Sequence, residues 1–106
     1  MFIATNRLFV PADRAGEFEA HFRHNMRTYL PGVNGLRRST LLRSVSADDP
    51  CVSINVFGSD ADFRAWIASD SFKEAHARNQ GIARHVTSNA VETFHSSEDL
   101  VLITEG

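Results

Sequence analysis

The stretch from Trp66 to His76 carries the only tryptophan of the chain together with a histidine. Ser69-Asp70-Ser71 interrupts the apolar pattern between them, because small polar side chains compete for backbone hydrogen bonds. Asp70 can then cap a second helix that begins near Ser71. In that helix Phe72 and His76 are four residues apart and share a face. Two short helices joined by a tight corner could therefore wall a pocket and offer it one nitrogen ligand.

Each of these residues also has a purely structural interpretation. A lone histidine is often satisfied by neighbouring polar groups, and tryptophan is commonly a core residue. Asn6 interrupts the apolar face of an N-terminal strand, where it satisfies a backbone group, faces the sheet edge, or presents its amide to a pocket. Residue types and spacing leave both interpretations open for Asn6, Trp66 and His76.

The elements that must position these residues follow the order β-α-β-β-α-β, with one extra short strand. Apolar alternation and turn residues predict the boundaries. The predicted strands are 2–10, 36–45, 51–57, 91–95 and 100–104; a first helix follows Pro11, with the stripe Ala15, Phe18, Phe22 and Met26, and paired helices span 59–78. Residues 79–89 are predicted to be a loop with room for a helical turn near 82–86.

This order predicts an α+β fold of the ferredoxin-like split βαβ type, in a single domain over residues 1–106. In the 51–57 strand, Val52, Ile54 and Val56 share the apolar face. Helices cover one face of such a sheet and a small domain leaves the other exposed. We therefore expect a homodimer that packs sheet on sheet.

Composition excludes several classes of function. The net charge of −2 and the pI near 6.2 are not those of a nucleic-acid-binding domain. No apolar run is long enough to span a bilayer, and the N-terminus does not resemble a signal peptide. Cys51 is the only cysteine, so no internal disulfide can form and a reducing compartment is expected. These features predict a cytoplasmic protein without a nucleic-acid or membrane partner.

Other catalytic chemistries have little support in the sequence. There is no glycine-rich phosphate loop, no paired-cysteine metal site and no nucleophile-elbow motif. His21 and His24 are three apart on the first predicted helix, but no carboxylate joins them on a shared face. They are therefore a poor metal pair.

Three parts of the chain resemble the IsdG-type heme-degrading monooxygenases, a branch of the antibiotic-biosynthesis-monooxygenase superfamily. Asn6-Arg7-Leu8 falls in the first strand, as the asparagine of that family does, and Trp66 lies in the second helix. The run Ser69 to His76 resembles the family pattern Ser-Asp-x-Phe-Lys-x-Ala-His. The resemblance extends over essentially the whole chain in length and element order. The asparagine, tryptophan and histidine set is specific to the heme-degrading branch.

The resemblance implies an oxidoreductase that binds heme, opens the porphyrin with O2 and an external electron donor, and releases iron. His76 would be the proximal iron ligand, Asn6 would donate a hydrogen bond above the ring, and Trp66 would press the porphyrin out of plane. The family forms a dimeric α/β-barrel with one heme pocket per subunit. The electron donor would be a reductase or a small reductant. Apolar residues available to wall the heme are Phe22, Met26, Ile54, Phe63 and Phe72.

Two other functions stay open at this stage. Other members of the superfamily are cofactor-free monooxygenases that act on phenolic or quinol-like substrates. The third possibility is a heme-binding protein without catalytic activity.

Overall fold

A computed structural model describes residues 1–46, 48–78 and 86–104. Four strands and three α-helices lie within these ranges. They are β1 (Phe2–Phe9), α1 (Ala15–Tyr29), β2 (Leu36–Leu42), β3 (Cys51–Phe57), α2 (Asp60–Ile67), α3 (Asp70–Arg78) and β4 (Ser88–His95). Short 3-10 turns occupy Ala12–Arg14 and Glu98–Leu100. None of the described helices has the length and apolarity that crossing a bilayer requires.

The strands form one antiparallel sheet in the order β2-β3-β1-β4. The first strand in sequence is therefore central and pairs with both β3 and β4. Asn6 lies opposite Ser53 of β3 on one side and opposite Val91 of β4 on the other. This strand order, with its paired helices, confirms the predicted α+β ferredoxin-like fold.

One face of β1 is buried against the helices. Phe2, Ala4 and Leu8 alternate on that face with relative exposures of 6–8%. Phe18 of α1, at 1% exposure, packs on Leu8. Phe63 of α2 stacks on Phe2 with ring centroids 4.9 Å apart. The predicted stripe on α1 and the aromatic residues of α2 therefore meet the same sheet face, and Asn6 lies on it.

The corner between α2 and α3 is held by serine caps. Ser59 begins α2, since its hydroxyl accepts the backbone N–H of Asp62 at 3.1 Å. The hydroxyl of Ser69 accepts the backbone N–H of Phe72 at 3.1 Å and donates to the carbonyl of Trp66 at 2.6 Å. The predicted cap at Asp70 is therefore wrong by one residue, because Ser69 can serve both helices at once. Asp70 lies in the first turn of α3, where an acidic residue is favourable.

The predicted strand at 100–104 is not formed by the described chain. Residues 98–100 form a 3-10 turn, and residues 101–104 have no strand pairing within the described residues. Apolar residues favour a strand, but a strand also needs a neighbouring backbone, and no described strand lies beside this segment. Most of the predicted 79–89 loop lies outside the described residues. Its end, from Ser88 onward, belongs to β4.

The orientation of β3 corrects the prediction for Ile54. Because side chains alternate along a strand, Ser53 and Asn55 share the helix-facing side with Phe57. Ile54 lies between them and faces away from the helices, as do Val52 and Val56. Ile54 therefore cannot wall a pocket between the sheet and the helices.

Candidate active site

A cavity of about 310 Å³ lies between the sheet and the helices. All the residues predicted to form the site, except Ile54, line it. They are Asn6 from β1, Phe22 and Met26 from α1, Phe63 and Trp66 from α2, and Phe72 and His76 from α3. The structure thus brings together side chains from four elements in one pocket.

His76 makes a hydrogen bond that determines its tautomer. Its Nδ1 lies 3.0 Å from the carbonyl oxygen of Phe72, one turn earlier in α3. A carbonyl oxygen only accepts, so Nδ1 carries a proton. In the neutral ring, Nε2 then keeps its lone pair and can bind a metal or accept a proton. The carbonyl also restrains the orientation of the imidazole, as such partners do for metal-binding histidines.

Trp66, Phe72 and His76 form one wall of the pocket, which we call the aromatic wall. The rings of Phe72 and His76 have centroids 3.9 Å apart. The rings of Trp66 and Phe72 meet edge to face, with their centroids 5.5 Å apart and their planes at 85°. Trp66 is only half-buried, whereas the largest fully buried side chains are Phe18 and Phe57. Part of the tryptophan side chain is therefore accessible, and the residue lines the pocket.

The amide of Asn6 is oriented by a neighbouring strand. Asn89 of β4 donates from Nδ2 to the Oδ1 of Asn6 at 3.3 Å. Because this bond turns the amide oxygen toward Asn89, the NH₂ group of Asn6 can donate to a ligand. The arrangement suits a hydrogen-bond donor that does not titrate.

The sheet side of the pocket is more polar than the sequence predicts. We call Asn6, Ser39, Ser53 and Asn55 the polar floor; all four line the cavity. The hydroxyl of Ser39 donates to Oδ1 of Asn55 at 2.6 Å. Sequence reasoning missed Ser39, Ser53 and Asn55 as site residues. The signal is present in β3, where polar residues alternate with valine and isoleucine, but apolar character alone predicts the valine and isoleucine face as the inward one.

Few titratable side chains line the pocket among the described residues. Among the described residues that line it there is no aspartate, glutamate, lysine or arginine, and His76 is the only histidine. No group of three metal-ligating side chains occurs among the described residues. His21 and His24 do not line this cavity and belong to no such group. The site thus offers one imidazole nitrogen, aromatic surface and neutral hydrogen-bonding groups.

Cys51 lies at the far end of the same sheet face and is not part of this pocket. Its Sγ lies 3.4 Å from the carbonyl oxygen of Leu8. Burial raises the pKa of this thiol above its ordinary value, and the nearby Glu19 carboxylate adds to the shift. A thiol of this kind is a weak nucleophile at neutral pH.

The chain is similar to one known protein family and to several solved structures. Residues 1–78 match the family model for antibiotic biosynthesis monooxygenase. No curated protein sequence matches the chain. The heme-degrader MhuD from Mycobacterium tuberculosis, solved with two hemes in its active site, is 23% identical with a TM-score of 0.73, and the match covers 100% of both chains.

Two further solved structures are similar. A point mutant of MhuD, with two manganese protoporphyrin IX molecules bound per active site, is 25% identical with a TM-score of 0.78 over 100% of both chains. SnoaB from Streptomyces nogalater, a cofactor-independent oxygenase solved as a point mutant, is 24% identical with a TM-score of 0.72. That match covers 93% of this chain and 95% of SnoaB. With its family model matched over most of its length, this chain belongs to the antibiotic biosynthesis monooxygenase family.

Proposed function

We propose that this monooxygenase degrades heme. It binds heme through Nε2 of His76, opens the porphyrin with O2 and electrons from an external donor, and releases the iron. One observation carries the proposal: the Nδ1 of His76 is hydrogen-bonded to the carbonyl of Phe72, so Nε2 is the ring nitrogen that can bind iron, on a residue that lines the pocket. Neutral imidazole is a common axial ligand of heme iron.

The set of available ligands favours heme over a bare metal ion. Protein metal sites commonly need three or four protein ligands, and the described part of the chain holds no such cluster. A porphyrin brings four nitrogen ligands of its own, so one histidine suffices. The neutral, aromatic lining of the pocket suits a large apolar plate. The resemblance of the Asn6, Trp66 and His76 set to heme-degrading enzymes supports the same conclusion.

Each residue would have a distinct task. His76 holds and orients the plate, while Trp66 and Phe72 contact it and exclude water. Pressure from Trp66 would bias the ring away from planarity. Asn6 donates from its NH₂ group on the side of the sheet, with its orientation set by Asn89. Bound heme itself supplies the oxygen activation and the electron transfer.

Hemin titration of the purified protein tests the proposal. Wild type should bind one hemin per chain with the visible spectrum of a histidine-ligated heme. His76→Ala should lose that spectrum, because the described pocket lining holds no other imidazole. His24→Ala is the matched control, since His24 is an exposed histidine outside the pocket. A His76→Ala spectrum equal to that of wild type would exclude His76 as the ligand.

Turnover separates an enzyme from a heme carrier. With ascorbate under air, the Soret band should decay and chelatable iron should appear. If the Soret band is stable under these conditions, and also with a flavin-dependent reductase as the electron donor, the protein binds heme without degrading it.

We also propose that the protein is a homodimer. The sheet face opposite the helices carries Val52, Ile54 and Val56, and Phe94 beside it is 47% exposed. A second copy could cover this apolar face and close the two sheets into a barrel. Light scattering at micromolar concentration should report twice the chain mass of 11.8 kDa. A stable monomer at that concentration contradicts the barrel arrangement.

The polar floor favours a second candidate, a cofactor-free monooxygenase acting on a phenolic or quinol-like substrate. Ser39, Ser53 and Asn55 offer more hydrogen-bonding groups than the face of a porphyrin can use. The similarity to SnoaB is compatible with this alternative. Oxygen uptake with a hydroxylated anthrone, above the spontaneous rate and without added heme or metal, would favour it. Absence of hemin binding together with such uptake would replace the heme proposal.

A further inference from the structure

Ser53 is a buried polar residue on the helix-facing side of β3. Its relative exposure is 7%, and its hydroxyl has no hydrogen-bond partner among the described residues. It is the one buried polar residue of the described chain, and it lines the pocket. Burying a hydroxyl without a partner is unfavourable by roughly 1–3 kcal/mol. A ligand that hydrogen-bonds to Ser53 would remove this penalty.

Asn6 lies directly across from Ser53 in the pairing of β1 with β3. Side chains of directly paired residues stand on the same face, with Cβ atoms about 4.5–5.5 Å apart. The hydroxyl of Ser53 and the amide of Asn6 can therefore reach the same ligand atom. Asn55 is two residues further along β3 and points to the same face.

The oxygen of each amide already accepts one hydrogen bond. Asn89 donates to Oδ1 of Asn6, and Ser39 donates to Oδ1 of Asn55. Each side chain also has an NH₂ group that can donate to a ligand, and Ser53 adds an O–H group. Three hydrogen-bond donors thus line one patch of the polar floor, and no carboxylate lines the pocket among the described residues.

We propose that Asn6, Ser53 and Asn55 form a subsite for one hydrogen-bond-accepting oxygen atom of the ligand. Two sources of that oxygen share this chemistry. One is a carbonyl or phenolate oxygen on a planar aromatic ligand, which is independent of heme. The other is the outer atom of a small ligand on heme iron, which rests on the proposed heme function. In either case the polar floor favours a ligand that presents an oxygen atom over one that presents only a hydrocarbon surface.

The first experiment uses the protein without heme. The probe is 2-hydroxy-1,4-naphthoquinone, whose ionised oxygen accepts hydrogen bonds, and naphthalene is the matched ligand without oxygen. Binding is followed by calorimetry and by quenching of Trp66 fluorescence. Ser53→Ala should weaken quinone binding about tenfold, as expected for one lost hydrogen bond, and leave naphthalene unchanged.

Two variants sharpen this test. Asn55→Asp keeps an acceptor for the Ser39 hydroxyl but replaces the NH₂ donor with a carboxylate oxygen. It should weaken quinone binding at least as much as Ser53→Ala, because it sets negative charge against the ligand oxygen. Ser88→Ala is the control, since Ser88 is an exposed strand serine outside the pocket. It should bind both probes as wild type does.

The second experiment uses the heme-loaded protein with carbon monoxide. Hydrogen-bond donors near the outer atom lower the C–O stretching frequency, so Ser53→Ala should raise it in the infrared spectrum. A weaker quinone complex alone assigns the subsite to an organic ligand, and a shifted C–O stretch alone assigns it to an iron ligand. The proposal is overturned if wild type binds the quinone no better than naphthalene and Ser53→Ala leaves the C–O stretching frequency unchanged. It is equally overturned if wild type binds the quinone no better than naphthalene and hemin does not bind at all. It is also overturned if Ser53→Ala changes neither measurement.

Discussion

Replacing Gly35 with alanine should disturb the packing of α2, because Asp62 of that helix lies against this glycine. Gly32 and Gly35 both lie in the turn between α1 and β2, with positive φ angles of 82° and 79°. A Cβ at Gly35 would overlap the side chain of Asp62 in α2, whereas a Cβ at Gly32 would meet no atom within 4 Å. The overlap includes Asp62 atoms near the helix backbone, so a change of rotamer cannot remove it. Gly32→Ala is therefore a matched control that changes the backbone preference alone.

The expected loss of stability has two parts, the backbone preference and the overlap with Asp62. Left-handed backbone costs a non-glycine residue about 1–2 kcal/mol, and both variants bear this cost. Overpacking against Asp62 adds roughly 1–3 kcal/mol for Gly35→Ala only. The two variants should therefore differ by roughly 1–3 kcal/mol in the free energy of unfolding, or about 4–12 °C in Tm for a chain of this size.

Urea denaturation followed by circular dichroism measures this difference. Asp62→Ala shortens the side chain, so in the Gly35→Ala background it should restore part of the lost stability, with a coupling above about 0.5 kcal/mol. Trp66 follows Asp62 by one helical turn, so Gly35→Ala should also weaken hemin binding, and Gly32→Ala should not. Equal stability of the two glycine variants would refute the packing of Asp62 on Gly35.

Four other substitutions or reactions give further tests. Asn6→Ala should keep most of the hemin affinity but slow Soret decay with ascorbate roughly a hundredfold or more, because a positioned donor is lost; unchanged turnover would reject this role. Trp66→Phe should stay folded and bind heme, with weaker out-of-plane modes in resonance Raman and slower degradation; if both match wild type, Trp66 acts only in packing. Ser53→Ala should unfold at the same or higher urea concentration than wild type, since no described protein partner is lost. Because burial raises the pKa of Cys51, iodoacetamide should modify the folded chain more slowly than the urea-unfolded chain, and the gap should close as the pH rises past the shifted pKa.

The raised pKa of Cys51 also predicts how the stability of the fold depends on pH. The folded state holds the thiol proton of Cys51 more tightly than the unfolded chain does, so this group stabilises the fold below its ordinary pKa. That contribution is lost as the pH rises through the folded pKa. Cys51→Ser should therefore flatten the decrease in stability on the alkaline side, as measured by urea midpoints.

Local features of the sequence were enough to predict much of the local structure around the candidate site. The hydroxyl of Ser59 and the break around Ser69 define where α2 and α3 begin, because capping involves residues only a few positions apart. The four-residue spacing of Phe72 and His76 follows from helix geometry alone, and these two rings are in contact. Period-two alternation likewise identified β1 and its buried face.

Other features depended on contacts between distant parts of the chain. Alternation in β3 offers two faces, and only its pairing with β1, which sets Asn6 opposite Ser53, decides that the polar set faces inward. The bond from Asn89 to Asn6 joins residues 83 positions apart, and it determines which end of the amide is presented. Residues 101–104 have the composition of a strand but no described strand to pair with. Periodicity reports what a segment can bury, whereas register, pairing and amide orientation are set by neighbours that only the folded chain brings together.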